Sequence, residues 1–350
     1  MINGVERKTD FPIFSATNYK NKIFVAGGGG GQKFGIRNYI IAIETATMME
    51  TYRLDTGDDL VEKIFANEVE DYLIAISEQK AKVYAINEKG ELIERSAIDI
   101  PYNEKFQTLT AYYDSTLAMA IEKKLIIYTI KDLRWNKVFE ISIDSPIIHL
   151  ANIEDPNHFF VGVDKKIMVF SVKNSRFIGE LPLESKGKGL FISQHKSSNS
   201  LFFILSSHTG SDVHIYQKLT ENFSKNKFIS KMPINRSRIT VATMTGDILI
   251  IGDINGAIEA IRYVDARMAK IYSKNIHELP PNNIIIKNTP STVDNDSLMV
   301  LSFGADYKIK ITELERSLLN KGEKKQRDFI LYLLLVLFIS ILLGYFYYSK

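Results

Sequence analysis

The 350-residue chain contains no cysteine, which excludes disulfide scaffolds, cysteine-ligated zinc and cysteine nucleophiles and fits folding in a reducing compartment. An excess of one charge sign is also lacking, because 44 Lys and Arg face 41 Asp and Glu, giving a net charge of +3. So small an excess gives no support for a nucleic-acid partner, and we expect none. Hydrophobic residues make up 45% of the chain, which excludes a mostly disordered protein.

Motifs for covalent chemistry are absent as well. The sequence contains no nucleophile elbow, no zincin motif and no paired-carboxylate pattern. Its histidines lack metal-ligand spacing, and we expect them at surface or turn positions: His149, His158, His195, His208, His214 and His277. We expect Asp306 to bond to its own backbone. The protein is therefore not expected to be an enzyme.

One long apolar run breaks the otherwise even composition. Residues Phe329–Tyr348 carry no charge, and twenty such residues suffice for a helix that crosses a bilayer of about 30 Å. Positive residues precede the run within 316–328, whereas only Ser349 and Lys350 follow it. The positive-inside rule then keeps the preceding chain in the cytosol. We predict a cytosolic domain 1–315, a basic juxtamembrane stalk 316–328 and a transmembrane helix 329–348. A buried core helix is the alternative for the last segment.

The rest of the chain repeats a hairpin pattern. Two apolar runs separated by a polar turn recur seven times at intervals of about 45 residues, beginning near Lys22, Tyr72, Thr116, His158, Leu201, Asp247 and Ser297. This period is typical of β-propeller blades, which cover one another in a closed ring. The sequence thus predicts an all-β, seven-bladed, WD-repeat-like β-propeller followed by a single C-terminal transmembrane helix. Two packed β-sandwiches would require a break in the period.

The last repeat needs a strand from elsewhere. No outer strand follows Lys310–Glu313, because the basic stalk begins there. The N-terminal residues Gly4–Lys8 are the segment that we expect to supply it and close the ring. The turns Asp253–Gly256 and Gly304–Asp306 resemble those of WD-repeat blades.

A glycine-rich loop stands out in the first repeat. Residues 27–31 are all glycine, and ordering them costs considerable conformational entropy. One interpretation is a flexible hairpin tip. A second, a phosphate cradle, lacks the known glycine spacings and a following helix. The third is a protruding loop for a protein partner, organised around a cation, since backbone carbonyls suit a hard cation.

The run from Ala26 to Asn38, on the first blade of an anchored cytosolic propeller, resembles the prolactin regulatory element-binding protein family. A weaker match is Ile276–Pro281. These family members are endoplasmic-reticulum exchange factors for the Sar-type small GTPase that starts COPII coat assembly. The chain departs from the family at Gly31 and at Arg37, where related loops often carry proline.

The resemblance implies the site residues and partners. Backbone carbonyls of Gly27, Gly28, Gly29, Gly30 and Gly31 would hold a potassium ion. The GTPase would be contacted by three residues: Gly35, Ile36 and Asn38. Ile36 would be an apolar anchor at the switch region, and Asn38 would fix the loop or bond to the GTPase.

The function implied is guanine-nucleotide exchange during transport from the endoplasmic reticulum to the Golgi. The protein would be a single-pass protein of the endoplasmic-reticulum membrane, with its propeller in the cytosol. The alternative is a membrane-anchored propeller scaffold for trafficking proteins that has no exchange activity. A hydrolase propeller is a third and weaker hypothesis, disfavoured because no catalytic constellation is present in the sequence.

Overall fold

The structure is a computed structural model that describes residues 6–31, 35–100, 108–152, 157–164, 166–183, 188–195, 200–207, 210–217, 227–235, 237–264, 267–288 and 297–314. Across these ranges every regular element is a β-strand. No helix there is long and apolar enough to span a membrane. The predicted span Phe329–Tyr348 and its basic stalk lie outside the described residues.

Seven four-stranded antiparallel sheets form a seven-bladed β-propeller, as the repeat predicts. Blade 1 contains β2 (Ile13–Tyr19), β3 (Lys22–Gly27), β4 (Asn38–Glu44) and β5 (Glu50–Gly57). Blade 2 contains β6 (Val61–Asn67), β7 (Tyr72–Ser77), β8 (Lys80–Ile86) and β9 (Leu92–Asp99). Blade 3 contains β10 (Leu109–Tyr113), β11 (Thr116–Ile121), β12 (Lys124–Lys131) and β13 (Arg134–Ser142).

The remaining blades continue in chain order. Blade 4 contains β14 (Ile147–Asn152), β15 (His158–Val163), β16 (Lys166–Ser171) and β17 (Arg176–Pro182). Blade 5 contains β18 (Lys188–His195), β19 (Ser200–Ser207), β20 (Gly210–Gln217) and β21 (Lys227–Asn235). Blade 6 contains β22 (Ile239–Thr245), β23 (Ile248–Asp253), β24 (Ala257–Val264) and β25 (Arg267–Asn275). Blade 7 contains β26 (Pro281–Asn288), β27 (Leu298–Gly304) and β28 (Lys308–Leu314), with β1 (Glu6–Lys8) as its outer strand.

The ring closes through the N-terminal strand, which confirms the predicted closure. β1 pairs antiparallel with β28, with Glu6 opposite Lys310 and Lys8 opposite Lys308. An ion pair of 2.8 Å joins the Glu6 carboxylate to Lys310 Nζ. Blade 7 is therefore built from both ends of the described chain, and its fourth strand comes from the N-terminal end.

The hydrophobic core is divided among the blade interfaces. Each of seven clusters of buried apolar side chains is shared by two neighbouring blades. The cluster between blades 7 and 1 packs Phe303 and Ile309 against Val25 and Ile41. Because each sheet covers its neighbour, the middle strands are buried on both sides, as in β7, where all six residues are buried.

The connections fall on two faces of the ring. The turns between the second and third strands of each blade lie on one face, together with the links between blades; we call this the loop face. The turns between first and second, and between third and fourth, strands lie on the opposite face. The glycine-rich loop joins the second and third strands of blade 1, β3 and β4, so it lies on the loop face.

Candidate functional site

The glycine-rich loop leaves the sheet at Gly27 and returns to it at Asn38. Four of its glycines have positive φ angles: Gly28 (152°), Gly30 (91°), Gly31 (93°) and Gly35 (77°). Side chains rarely adopt these angles because the Cβ atom collides with the backbone. An isolated β-bridge joins Gly31 to Ile36 and narrows the base of the loop. The described part of the loop thus follows a path that residues other than glycine rarely adopt. Residues 32–34 of the tip lie outside the described residues.

Close packing provides a second reason for glycine at the start of the loop. A Cβ added to Gly27 would lie 2.0 Å from the carbonyl oxygen of Pro12. At Gly28 it would lie 2.6 Å from the Cα of Asn38, and at Gly29 it would lie 2.4 Å from the Cβ of Ile36. Real Cβ atoms do not approach other atoms so closely. The chain that returns through Ile36 and Asn38 therefore packs directly against the backbone of Gly28 and Gly29.

Asn38 holds the two sides of the loop together. Its side chain is fully buried. Its Oδ1 accepts a hydrogen bond of 3.1 Å from the Gly30 N–H, and its Nδ2 donates one of 3.0 Å to the Gly57 carbonyl. An amide can make both bonds at once because it carries a donor and an acceptor. Of the two roles predicted for Asn38, this geometry favours fixing the loop.

Ile36 lies at the root of the loop and is partly buried. Its side chain covers Gly29 and packs against the apolar cluster between blades 7 and 1. Gly35, directly before it, is exposed, and an added Cβ there would meet no atom within 4 Å. A partner can therefore approach Gly35 freely, whereas only part of Ile36 is available for contact.

Asp58 belongs to this site and was missed from the sequence. It follows β5 in the link to blade 2, and its carboxylate oxygen would lie 2.7 Å from a Cβ added to Gly31. The residue is exposed, and its neighbours in the sequence form no motif that would single it out. Only the pairing of Asn38 with Gly57 across β4 and β5 brings it to the glycines. A sequence pattern does not reveal such a contact between residues so far apart.

The loop and its surroundings contain oxygen atoms of two kinds. Backbone carbonyls of the glycines and the Asp58 carboxylate are hard donors, which alkali and alkaline-earth ions prefer. Among the described residues no group of three His, Asp or Glu side chains could hold a metal ion, so the donors near the loop do not form a carboxylate or imidazole site for a transition metal. The potassium site at Gly27–Gly31 stays a prediction.

A second polar cluster on the loop face involves His277, which is buried and not at the surface as expected. His277 Nδ1 lies 3.0 Å from Asp306 Oδ1, and its Nε2 lies 2.8 Å from Ser302 Oγ. Burial lowers the pKa of His277, although the Asp306 carboxylate opposes that shift. A neutral ring donates a hydrogen bond from Nδ1 to Asp306 and accepts one at Nε2 from the Ser302 hydroxyl. His149 and His214 are buried too and lie within β14 and β20, so the expectation of surface or turn positions was wrong for these two; His277 lies in the link between β25 and β26, although it is buried there.

Ser, His and Asp are the residue types of a hydrolase triad, but here they are not accessible to a substrate. Ser302 is fully buried, as is the His277 ring, and a substrate cannot reach the hydroxyl. Asp306 also accepts a hydrogen bond of 3.0 Å from the backbone N–H of Glu278. The cluster therefore ties the turn after β27 to the link before β26 and serves as a brace for blade 7.

Comparison with known proteins supports the fold alone. No protein-family model matches the chain, and no curated protein does. The crystal structure of Sqt1 from Saccharomyces cerevisiae is similar over 89% of this chain and 98% of that one, with a TM-score of 0.65 and 11% sequence identity. At so low an identity the similarity supports the β-propeller and does not select a function.

Proposed function

We propose that this propeller is a guanine-nucleotide exchange factor for a Sar-type small GTPase, anchored in the endoplasmic-reticulum membrane by residues 329–348. The observation that carries the proposal is the glycine-rich loop, whose path is fixed by the buried Asn38 side chain. A β-propeller is a scaffold that presents loops to partners, and this loop has four glycines at φ angles that side chains rarely adopt. The resemblance of residues 26–38 to the exchange-factor family supplies the partner.

The mechanism requires no covalent chemistry by the propeller. A small GTPase holds its nucleotide through a phosphate cradle, a magnesium ion and two switch segments. An exchange factor that binds the nucleotide-free form more tightly lowers nucleotide affinity by the same factor. The loop would supply this differential binding at the switch region, with Gly35 and the exposed part of Ile36 touching the GTPase. Asn38 would act through the loop that it fixes.

A potassium ion would shape the loop. Carbonyls of Gly27–Gly31 would coordinate the ion, and the neighbouring Asp58 carboxylate would balance its charge. Carbonyls gathered around an ion would repel one another without it, so we expect the loop to open when potassium is removed. The cation is a structural part of the contact surface in this proposal and takes no part in a reaction step.

The alternative function is a membrane-anchored scaffold for trafficking proteins without exchange activity. The β-propeller fold suits both functions. The fixed glycine loop favours exchange, because a scaffold has no need for a loop with four positive φ angles.

A nucleotide-release assay tests the proposal. Residues 1–315 are added to a Sar-type GTPase loaded with fluorescent GDP, and the release rate is compared with that of the variants Ile36→Ala and Asn38→Ala. With either variant, the GTPase should release GDP at least tenfold more slowly than with the natural sequence. Asp164→Ala changes an exposed residue in the corresponding turn of blade 4 and should leave the rate unchanged. Equal acceleration by all four proteins would contradict the role of the loop, and no acceleration by any of them would favour the scaffold.

A further inference from the structure

The direction of the last strand determines where the chain leaves the ring. In each blade the second strand runs toward the loop face and the third runs back. β28 is a third strand, and Leu314 at its end pairs with Leu298 at the start of β27. Leu314 therefore lies at the opposite face, whereas the glycine-rich loop lies on the loop face. The two features are separated by the full height of the ring.

We infer that the loop face is turned away from the membrane, so that the partner binds on the cytosolic side of the ring and not between ring and bilayer. The inference rests on the anchor and the partner of the proposed function, and it adds the surface on which that partner is met. The chain leaves the ring at the opposite face, so that face is the nearer one to any membrane that residues 329–348 enter.

The length of the intervening segment supports this orientation. Fourteen residues, 315–328, separate Leu314 from the predicted span. Fourteen residues span at most about 50 Å when fully extended. β28 has seven residues, and at about 3.3 Å per residue the ring is about 23 Å tall. To bring the loop face down to the bilayer, residues 315–328 would have to run back over the full height of the ring, whereas no such return is needed when the opposite face lies nearer the bilayer.

A consequence follows for the partner. A protein seated on the glycine loop stands about one ring height, roughly 23 Å, above the face nearest the bilayer. This surface therefore receives its partner from the side of the ring that faces solution. The class of partner that fits is a protein that reaches the ring from solution.

The absence of cysteine makes this orientation measurable. Single cysteines introduced into the full chain can carry a fluorophore without any competing thiol. Val69→Cys lies on the opposite face of blade 2, in a turn where Val69 is 90% exposed. Glu78→Cys lies on the loop face of the same blade, also in an exposed turn. The strand between them, β7, has six residues, so the two labels are about 20 Å apart. They form a matched pair.

A second pair on blade 4 controls for tilt of the ring. Lys173→Cys labels the opposite face and Asp164→Cys labels the loop face, and both residues are exposed. The labelled proteins are inserted, facing outward, into phosphatidylcholine vesicles with an acceptor dye on the lipid headgroups. Energy transfer to the lipid should be stronger from Val69→Cys than from Glu78→Cys, and stronger from Lys173→Cys than from Asp164→Cys. Equal or reversed transfer in both pairs would overturn the inference, as would failure of the chain to float with the vesicles.

Nucleotide release measured in the same vesicles separates this inference from the proposed function. Absence of release, with the predicted order of energy transfer, contradicts the exchange activity and leaves the orientation of the ring standing. Normal release with reversed energy transfer contradicts the orientation alone.

Discussion

Two alanine substitutions in the glycine-rich loop test whether its path is as defined as the structure indicates. Gly28 and Gly35 both have positive φ angles, 152° and 77°. At Gly35 an added Cβ meets no atom within 4 Å, whereas at Gly28 it would lie 2.6 Å from the Cα of Asn38. Gly35→Ala therefore carries backbone strain alone. Gly28→Ala adds a collision with main-chain atoms that rotation of a side chain cannot relieve.

The magnitudes follow from these two terms. The left-handed conformation costs alanine about 1–2 kcal/mol, and reduced freedom of the unfolded chain offsets about 0.4–1 kcal/mol. Gly35→Ala should thus lower the free energy of unfolding by about 1 kcal/mol. Gly28→Ala adds roughly 1–3 kcal/mol for overpacking. Part of that loss would appear as local opening of the loop, which frees the Gly30 N–H from Asn38.

Urea denaturation of residues 1–315 and amide hydrogen exchange at Gly30 measure the two effects. Gly28→Ala should have the lower urea midpoint, or should exchange the Gly30 amide at least tenfold faster than Gly35→Ala does. Tenfold corresponds to about 1.4 kcal/mol of opening free energy. If the two variants match in both measurements, the close approach of Gly28 to Asn38 is not a feature of the protein in solution.

Three further predictions concern the brace of blade 7, the contacts of Arg53 in blade 1 and the closure of the ring. His277 has a lowered pKa, from an ordinary value of 6.5, so the unfolded state binds more protons as the pH falls below about 6.5 and stability decreases. The urea midpoint should fall more between pH 7.5 and 5.5 for the natural sequence than for His277→Gln; equal falls would contradict this. Arg53 pairs with Asp10 at 2.7 Å and stacks on Tyr39 at 4.6 Å. Arg53→Ala should lower the melting temperature through a loss of about 1–2 kcal/mol, and an unchanged value would show that these contacts are not stabilising. Removal of residues 1–8 deletes β1, and calorimetry should then show a lower, broader transition; an unaltered one would mean that blade 7 does not need this strand.

The middle strands of the blades could be predicted from the sequence, because they are buried on both sides and read as continuous apolar runs. β3, β7, β11 and β15 begin at the predicted residues, and the starts of the other three differ by one residue. The outer strands could not be predicted in the same way. β5 alternates between exposed and half-buried positions along Glu50–Gly57, and its polar sequence carries too little apolar signal to distinguish it from a loop.

The candidate site was predictable only in part. Five consecutive glycines mark the loop in the sequence, and the buried position of Asn38 explains why an amide follows them. Asp58 and the His277 brace are different, because they are assembled from residues that strand pairing brings together. His277 and Asp306 lie 29 positions apart, and no local pattern links them. Burial of a histidine depends on the blades that enclose it, so its partners are visible only in the folded ring.

Nucleotide release from a Sar-type GTPase, with and without residues 1–315 and in potassium or sodium, tests the central claim most directly. The account predicts that the ring accelerates GDP release at least tenfold in potassium and that the acceleration is smaller in sodium, whose shorter coordination distances fit the loop carbonyls less well. An acceleration that is the same in both salts would contradict the cation-organised loop. No acceleration in either salt would contradict exchange activity and leave a propeller scaffold as the function.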